Sequence, residues 1–227
     1  MFKYDYSNQR KISNLLKIKK FDTVIHFAAN TNVIESVKNP EKFYKDLNKT
    51  KKFIDICIDC QVKNFFFSSS AAVYKSNNKK INEKSKIAPK SPYGIVKMEI
   101  EKYLKLKAKK NFKVNILRFF NVIGADNNLC AGQVIDNSNL IMNLYKSAYC
   151  NKKFYLNGTY NNTKIDISPV RDFFDVNIIS KVILNLLIKK SKNYFNIYNL
   201  GSGQGVSLLK FISQFELLTQ KKIKILN

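Results

Sequence analysis

VKNFFFSSS, residues 62–70, is a short apolar run ending in three serines, and YGIVKMEIEKYLKLKAKK, residues 93–110, is a long amphipathic segment that opens just after Pro92. An aromatic run of that length reads as a buried strand. A proline at the start of a helical apolar pattern is a start signal for a helix. The residues between them, 75–91, are polar and read as a loop. The unit is therefore strand, serine cluster, loop, helix.

The pattern extends in both directions. FDTVIHF (21–27) reads as a buried strand, and residues 41–60 carry Phe43, Leu47, Phe53, Ile54, Cys57 and Ile58 at helical spacing. FKVNILRFFNVIG (112–124) reads as one further strand running into a turn. Continuous apolar strands alternating with helices indicate an α/β fold with a parallel sheet covered on both faces. Beyond residue 125 the regularity weakens. Helices are expected over 139–150, 176–190 and 207–220, strands over 154–158 and 195–201, and a loop over 160–169. This part reads as a smaller layer built from insertions on the same sheet, with no internal repeat and no linker.

Composition narrows the function. The chain has 227 residues, 45% of them apolar, enough to bury a core. No apolar run reaches the ~18 residues of a membrane span, and the first twenty residues lack the apolar region of a signal peptide. The net charge is +24, but of 40 basic residues only Arg10, Arg118 and Arg171 are arginine. Recognition of bases and phosphates favours the arginine fork, and the lysines are spread along the whole chain. They read as solvated surface of a protein from an AT-rich coding sequence, able to steer small anions and not built for nucleic acid.

Several motifs weigh as structural. Cys57 and Cys60 form C-x-x-C, yet no second pair exists and His26 is the one histidine, too few ligands for zinc. No metal is expected. Gly201-Ser202-Gly203-Gln204-Gly205 follows a strand and precedes a helix, which invites a phosphate loop. Its spacing fits neither common fingerprint, so a structural turn is expected. His26 sits inside an apolar strand and reads as a buried histidine.

Chemistry enters with Tyr93-x-x-x-Lys97. Residues four apart share a helical face. An ammonium beside a phenol favours the phenolate, which gives a base usable near neutral pH. A hydroxyl at the strand end, Ser70, can orient the reacting oxygen. These segments, together with FDTVIHFAA (21–29), KNFFFSSSAAVY (63–74), SPYGIVK (91–97), ILRFFNVIGA (116–125), VRDFFDV (170–176) and IYNLGSGQGVSLL (197–209), run the length of the chain. In that order they resemble the NAD-dependent epimerase/dehydratase group of the extended short-chain dehydrogenases/reductases acting on nucleotide sugars, most closely its UDP-glucose 4-epimerase branch. The family's dehydratases carry an Asp-Glu pair after the catalytic hydroxyl; residues 70–74, SAAVY, have none.

The resemblance implies a Rossmann-like doubly wound parallel sheet and the cofactor NAD. It implies interconversion of UDP-glucose and UDP-galactose by reversible hydride transfer at C4 through a 4-keto intermediate. Tyr93 is then the base, Ser70 holds the 4-oxygen, and Lys97 binds the nicotinamide ribose and depresses the Tyr93 pKa. Asp5, Tyr6, Phe27, Ala28, Ala29 and Phe120 match cofactor positions. Asn121, Asn139, Leu140 and Arg171 match positions that hold the nucleotide sugar. Implied too are a cytoplasmic enzyme, a homodimer when full length, and no membrane or nucleic-acid partner. Residues 1–125 correspond to a partial NAD-binding domain and 126–227 to a small C-terminal substrate-binding part.

There are departures. Family members open with a strand and a G-x-x-G-x-x-G turn, and this chain starts at what corresponds to the third strand, so a sheet lacking its first strands is expected, truncated at both ends. The chain alone is then not expected to retain NAD. Asp46 stands where the family has an Asn at the cofactor, Thr31 where it has a Lys, and Ile178 replaces an acidic residue. The alternatives are an inactive remnant of such an enzyme and a 4-epimerase of UDP-glucuronate or a UDP-N-acetylhexosamine.

Overall fold

The aromatic run becomes the second strand of a four-stranded parallel sheet. The computed structural model describes residues 3–76, 80–128, 130–132, 139–156, 166, 168–189 and 191–226. In chain order the first elements are α1 (Gln9–Lys19), β1 (Thr23–His26), α2 (Val33–Lys38), α3 (Pro40–Asp59), β2 (Asn64–Ser70), α4 (Pro92–Lys107) and β3 (Lys113–Phe119). There follow β4 (Asn121–Ile123), α5 (Leu140–Tyr149), β5 (Phe154–Tyr155), β6 (Val170–Asp175), α6 (Val176–Ile188), β7 (Phe195–Leu200), β8 (Gly205–Ser207), α7 (Leu208–Thr219) and β9 (Ile225–Leu226). The chain divides into two compact units, Met1–Phe119 with Lys190–Leu200, and Phe120–Lys189 with Gly201–Asn227.

In the first unit the strand order is β1-β2-β3-β7, all parallel. Register rows such as His26–Phe67–Ile116–Ile197 run straight across the sheet. Successive residues of a strand face opposite sides. Phe65 and Phe67 pack into a core with Phe43, Phe53, Ile54 and Cys57 of α3 and Val96, Ile100 and Leu104 of α4. Phe66 and Leu117, on the other face, are buried as well, whereas Ile25 of β1, level with Phe66, is exposed. Among the described residues β1 pairs with β2 alone.

Local chemistry sets the helix starts. Ser91 accepts from the Gly94 amide at 3.1 Å and Pro92 takes the first position of α4, so cap and proline act together. Asn32 caps the short α2 by accepting from the Glu35 amide at 2.9 Å. Asp175 and Ser207 cap α6 and α7 in the same way.

The second unit holds a three-stranded sheet in which β4 and β6 are parallel and β6 and β8 antiparallel, beside the parallel pair β5–β9. Leu144, Phe154, Leu156, Ile212 and Ile223 form its core. Two expectations are corrected here. The strands of the later region do not extend the first sheet: apart from β7, which joins β3, they form sheets of their own. Residues 112–124 are not one strand. β3 pairs with β2 and β7, whose ladders end level at Ser70, Phe119 and Leu200, and past that row the backbone of 121–123 finds its partner in β6. Most of residues 160–169 lies outside the described residues. No helix of the described residues is long and apolar enough to cross a membrane.

Candidate active site

Ser70, Tyr93 and Lys97 come together at the carboxyl end of β2, the end at which open α/β sheets bind ligands. Ser70 closes the strand in extended geometry, and its Oγ accepts from the Ala72 amide at 3.2 Å, which starts the 3-10 turn Ala71–Val73. Tyr93 is on the first turn of α4 and buried, and the Ser70 side chain works against the rise that burial gives its pKa. Lys97, one turn later, is 3% exposed. Its Nζ donates to the Ser68 carbonyl at 2.6 Å and lies 4.7 Å from the Phe67 ring centroid and 5.7 Å from that of Tyr93.

The electrostatics revise one expectation. Burial raises the Tyr93 pKa, and the Ser70 side chain is the opposing influence. Lys97 does not act on the phenol in the way the spacing suggests, because its ammonium is turned to the Ser68 carbonyl. Burial also brings the Lys97 pKa down to about 8, against the pull of Asp46 and Glu101. Desolvation thus favours the neutral form of both groups, the common device for making buried side chains exchange protons, while a pKa of about 8 leaves Lys97 mostly charged at pH 7.

Gly94 fixes how closely the two segments meet. A Cβ there would stand 2.6 Å from the Ala72 carbonyl oxygen and 2.9 Å from Pro89 Cβ. Gly94→Ala is therefore expected to cost about 1–3 kcal/mol through forced backbone movement. Thermal melts of the two chains measure this, and an unchanged Tm would show that the 70–74 segment yields freely.

Beside Tyr93 and Lys97 is a pocket lined also by Tyr6, His26, Ala28, Ala29 and Asp46. Asn30 donates to the Asp46 carboxylate. His26 is 6% exposed and ringed by Tyr6, Phe53 and Phe67. Burial, then the Lys97 charge, takes its pKa to about 4, so it is neutral at pH 7. Its Nε2 has no hydrogen-bond partner, a rare state that a ligand's polar group would relieve. The cofactor candidates Tyr6, Ala28, Ala29 and Lys97 thus share one pocket with the base, and this orphaned nitrogen fits a polar ligand there.

The other candidates are spread wider. Asp5 is exposed, its carboxyl held below the usual range by the Ser7 amide at 2.7 Å. Phe27 is exposed, edge-on to Phe119 with centroids 6.0 Å apart. Phe120 and the sugar candidates belong to the second unit. Phe120 lies close to Gly201, where an added Cβ would stand 3.2 Å from its ring. Asn121 is exposed at the start of β4. Asn139 is the cap of α5, accepting from the Met142 amide at 2.9 Å, and Leu140 is the first residue of that helix. Arg171 is exposed, donating to the Val170 carbonyl at 3.2 Å.

The glycine-rich loop has an occupant of its own. Asp172 accepts from the Ser202 amide at 2.7 Å, the Ser202 hydroxyl at 2.7 Å and the Gly203 amide at 2.8 Å. Gly203 has φ +73°, and a Cβ on Gly201 would meet the Asp172 carboxylate at 2.7 Å. An anion-binding nest is here filled by the chain's own carboxylate, so the loop is a structural turn. Cys57 is buried and its thiol pKa pushed up by that burial, in keeping with a packing residue. Among the described residues no group of three or more His, Cys, Asp or Glu could hold a metal. Sequence reasoning missed Asp172, and it missed the buried Glu101 and Arg118 behind the site. Glu101 follows Lys97 by four, the spacing that could have marked it.

Against known proteins, residues 1–201 match the model of the NAD dependent epimerase/dehydratase family. A UDP-glucose 4-epimerase of Lactobacillus helveticus is 37% identical over 92% of this chain and 64% of its own length. Among solved structures, a UDP-glucose-4-epimerase of Stenotrophomonas maltophila with bound NAD and formylated UDP-arabinopyranose is similar at TM-score 0.90 and 27% identity, covering 99% of this chain and 69% of that one. The UDP-Glc/GlcNAc 4-epimerase of Campylobacter jejuni is similar at TM-score 0.80 and 32% identity, covering 99% and 70%. The chain spans about 64% of the length of the curated relative.

Proposed function

We propose that this chain, which belongs to the NAD dependent epimerase/dehydratase family, carries the proton-transfer machinery of a UDP-hexose 4-epimerase that interconverts UDP-glucose and UDP-galactose. The observation that carries the reading is the trio itself: a buried phenol on the helix that packs against the turn capped by the strand-end serine, with a buried ammonium one helical turn away in the same pocket. Tyr93 Oη takes the proton of the sugar 4-hydroxyl and later returns it. Ser70 Oγ holds the 4-oxygen as its charge changes. Lys97 supplies positive charge in a buried site, where charge acts strongly. Tyr6, Ala28, Ala29 and Lys97 would hold NAD, with Asp5, Phe27 and Phe120 completing its contacts. When bound, NAD supplies reversible hydride exchange at C4, which lets the configuration invert. Asn121, Asn139, Leu140 and Arg171 are the proposed contacts of the nucleotide sugar. The setting proposed is cytoplasmic, with a homodimer when full length and no nucleic-acid or membrane partner.

The test is proton NMR of UDP-galactose incubated with NAD and the protein, as the 227-residue chain and as the same chain extended to the length of its relatives. The anomeric signal of UDP-glucose is expected to grow to a constant ratio. If neither form converts UDP-galactose, the reading is wrong.

A further inference from the structure

Behind the trio is a second set of buried polar groups, absent from the chemistry above. Arg118 of β3 is 1% exposed and Glu101 of α4 is 5% exposed. The guanidinium Nε donates to Glu101 Oε1 at 2.9 Å, and Nη2 donates to Oε2 at 2.5 Å. The remaining fork nitrogen, Nη1, donates to Tyr74 Oη at 2.7 Å, and that hydroxyl donates to Asn199 Oδ1 of β7, also at 2.7 Å. Ser69 Oγ donates to Glu101 Oε1 at 2.5 Å.

Buried ion pairs are poor devices for stability alone, since apolar side chains of similar volume often do as well. What this pair has that an apolar pair lacks is direction. Its partners are chosen by position: Ser69 precedes Ser70, Tyr74 follows the turn that Ser70 caps, and Glu101 lies on the helix of Tyr93 and Lys97, at spacings of four. The pair therefore grips the Ser70 segment on both sides and ties it to the helix that carries the base.

We propose that Arg118 and Glu101 are positioning residues that hold the Ser70 segment in place against the helix of Tyr93. This rests on the roles given to Ser70 and Tyr93 above. It goes beyond them in locating what sets their relative position, which neither residue can set alone. A misplacement of about 1 Å in such a position costs on the order of 10²-fold in rate.

The test is ¹⁹F NMR of the 227-residue chain labelled with 3-fluorotyrosine, with the Tyr93 signal among 12 tyrosines identified by its loss in Tyr93→Phe. Its titration midpoint is followed in Ser70→Ala, in Arg118→Lys, and in the apolar double variant Glu101→Leu/Arg118→Met. Lys97, His26, Asp46 and Tyr6, the other titratable groups lining the pocket of Tyr93, stay unchanged throughout. Ser70→Ala removes the side chain that opposes the rise in the phenol's pKa and is expected to raise the midpoint by about half a unit to one unit. The apolar double variant is expected to melt within a few degrees of the parent yet show the same rise, with no further rise when Ser70→Ala is added. Arg118→Lys keeps the charge but not the fork, and a partial rise is expected. It decides the matter should the double variant not fold. A midpoint that moves in Ser70→Ala but in neither pair variant overturns the positioning role. A midpoint unmoved by Ser70→Ala itself overturns the assigned influence of Ser70 on Tyr93 instead.

Discussion

Tyr93→Phe is expected to lower the proposed epimerase turnover about 10²- to 10⁴-fold, the usual weight of a positioned proton-transfer group. The substitution removes one oxygen from a ring that stays buried, and Ser70 keeps its bond from the Ala72 amide, so the fold is expected to persist. The comparison is of kcat for UDP-galactose in whichever length of the protein turns over, with Tm as the control for folding. Full activity in the phenylalanine variant would remove Tyr93 from the mechanism. The pH dependence follows from the same burial. The proposed base acts as the phenolate, and burial raises its pKa, so the ionised fraction, and kcat with it, is expected to climb as pH rises from neutral.

Glu101→Ala is the substitution expected to cost the fold most. It leaves the Arg118 guanidinium fully buried without its counter-ion and strips Ser69 of its acceptor. Breaking one side of a buried pair costs about 3–5 kcal/mol, against the 5–15 kcal/mol that typically holds a domain together. In urea melts the midpoint should drop sharply with an unchanged slope. A midpoint near that of the parent chain would mean that water reaches the guanidinium, and the dry network described above would be wrong.

The elements that the sequence shows plainly are those made by local chemistry. Phe65, Phe66 and Phe67 can only be a strand buried on both faces, and Pro92 after Ser91 can only open a helix. Tyr93 and Lys97 share a pocket because the helical repeat requires it. What the sequence conceals is made by residues distant along the chain. The apolar run through Phe119 and Phe120 hides a change of sheet, because the change is set by where β2 and β7 end. The glycine loop at 201–205 looks built for a foreign anion, and its anion is Asp172, thirty residues earlier and without local mark. Lys97 shows the limit of spacing arguments: the helix puts it beside the phenol, but the Ser68 carbonyl, on another element, decides where its charge points.

Arg118 has a consequence for how this gene can drift. Arginine's AGA and AGG codons lie one G-to-A change from lysine's AAA and AAG, and a coding sequence that leaves three arginines among 40 basic residues makes that change readily. On the surface the exchange is silent. At Arg118 the lysine cannot reproduce three directed bonds to Glu101 and Tyr74. In a saturation library, position 118 should therefore be where the commonest mutation is also among the most depleted.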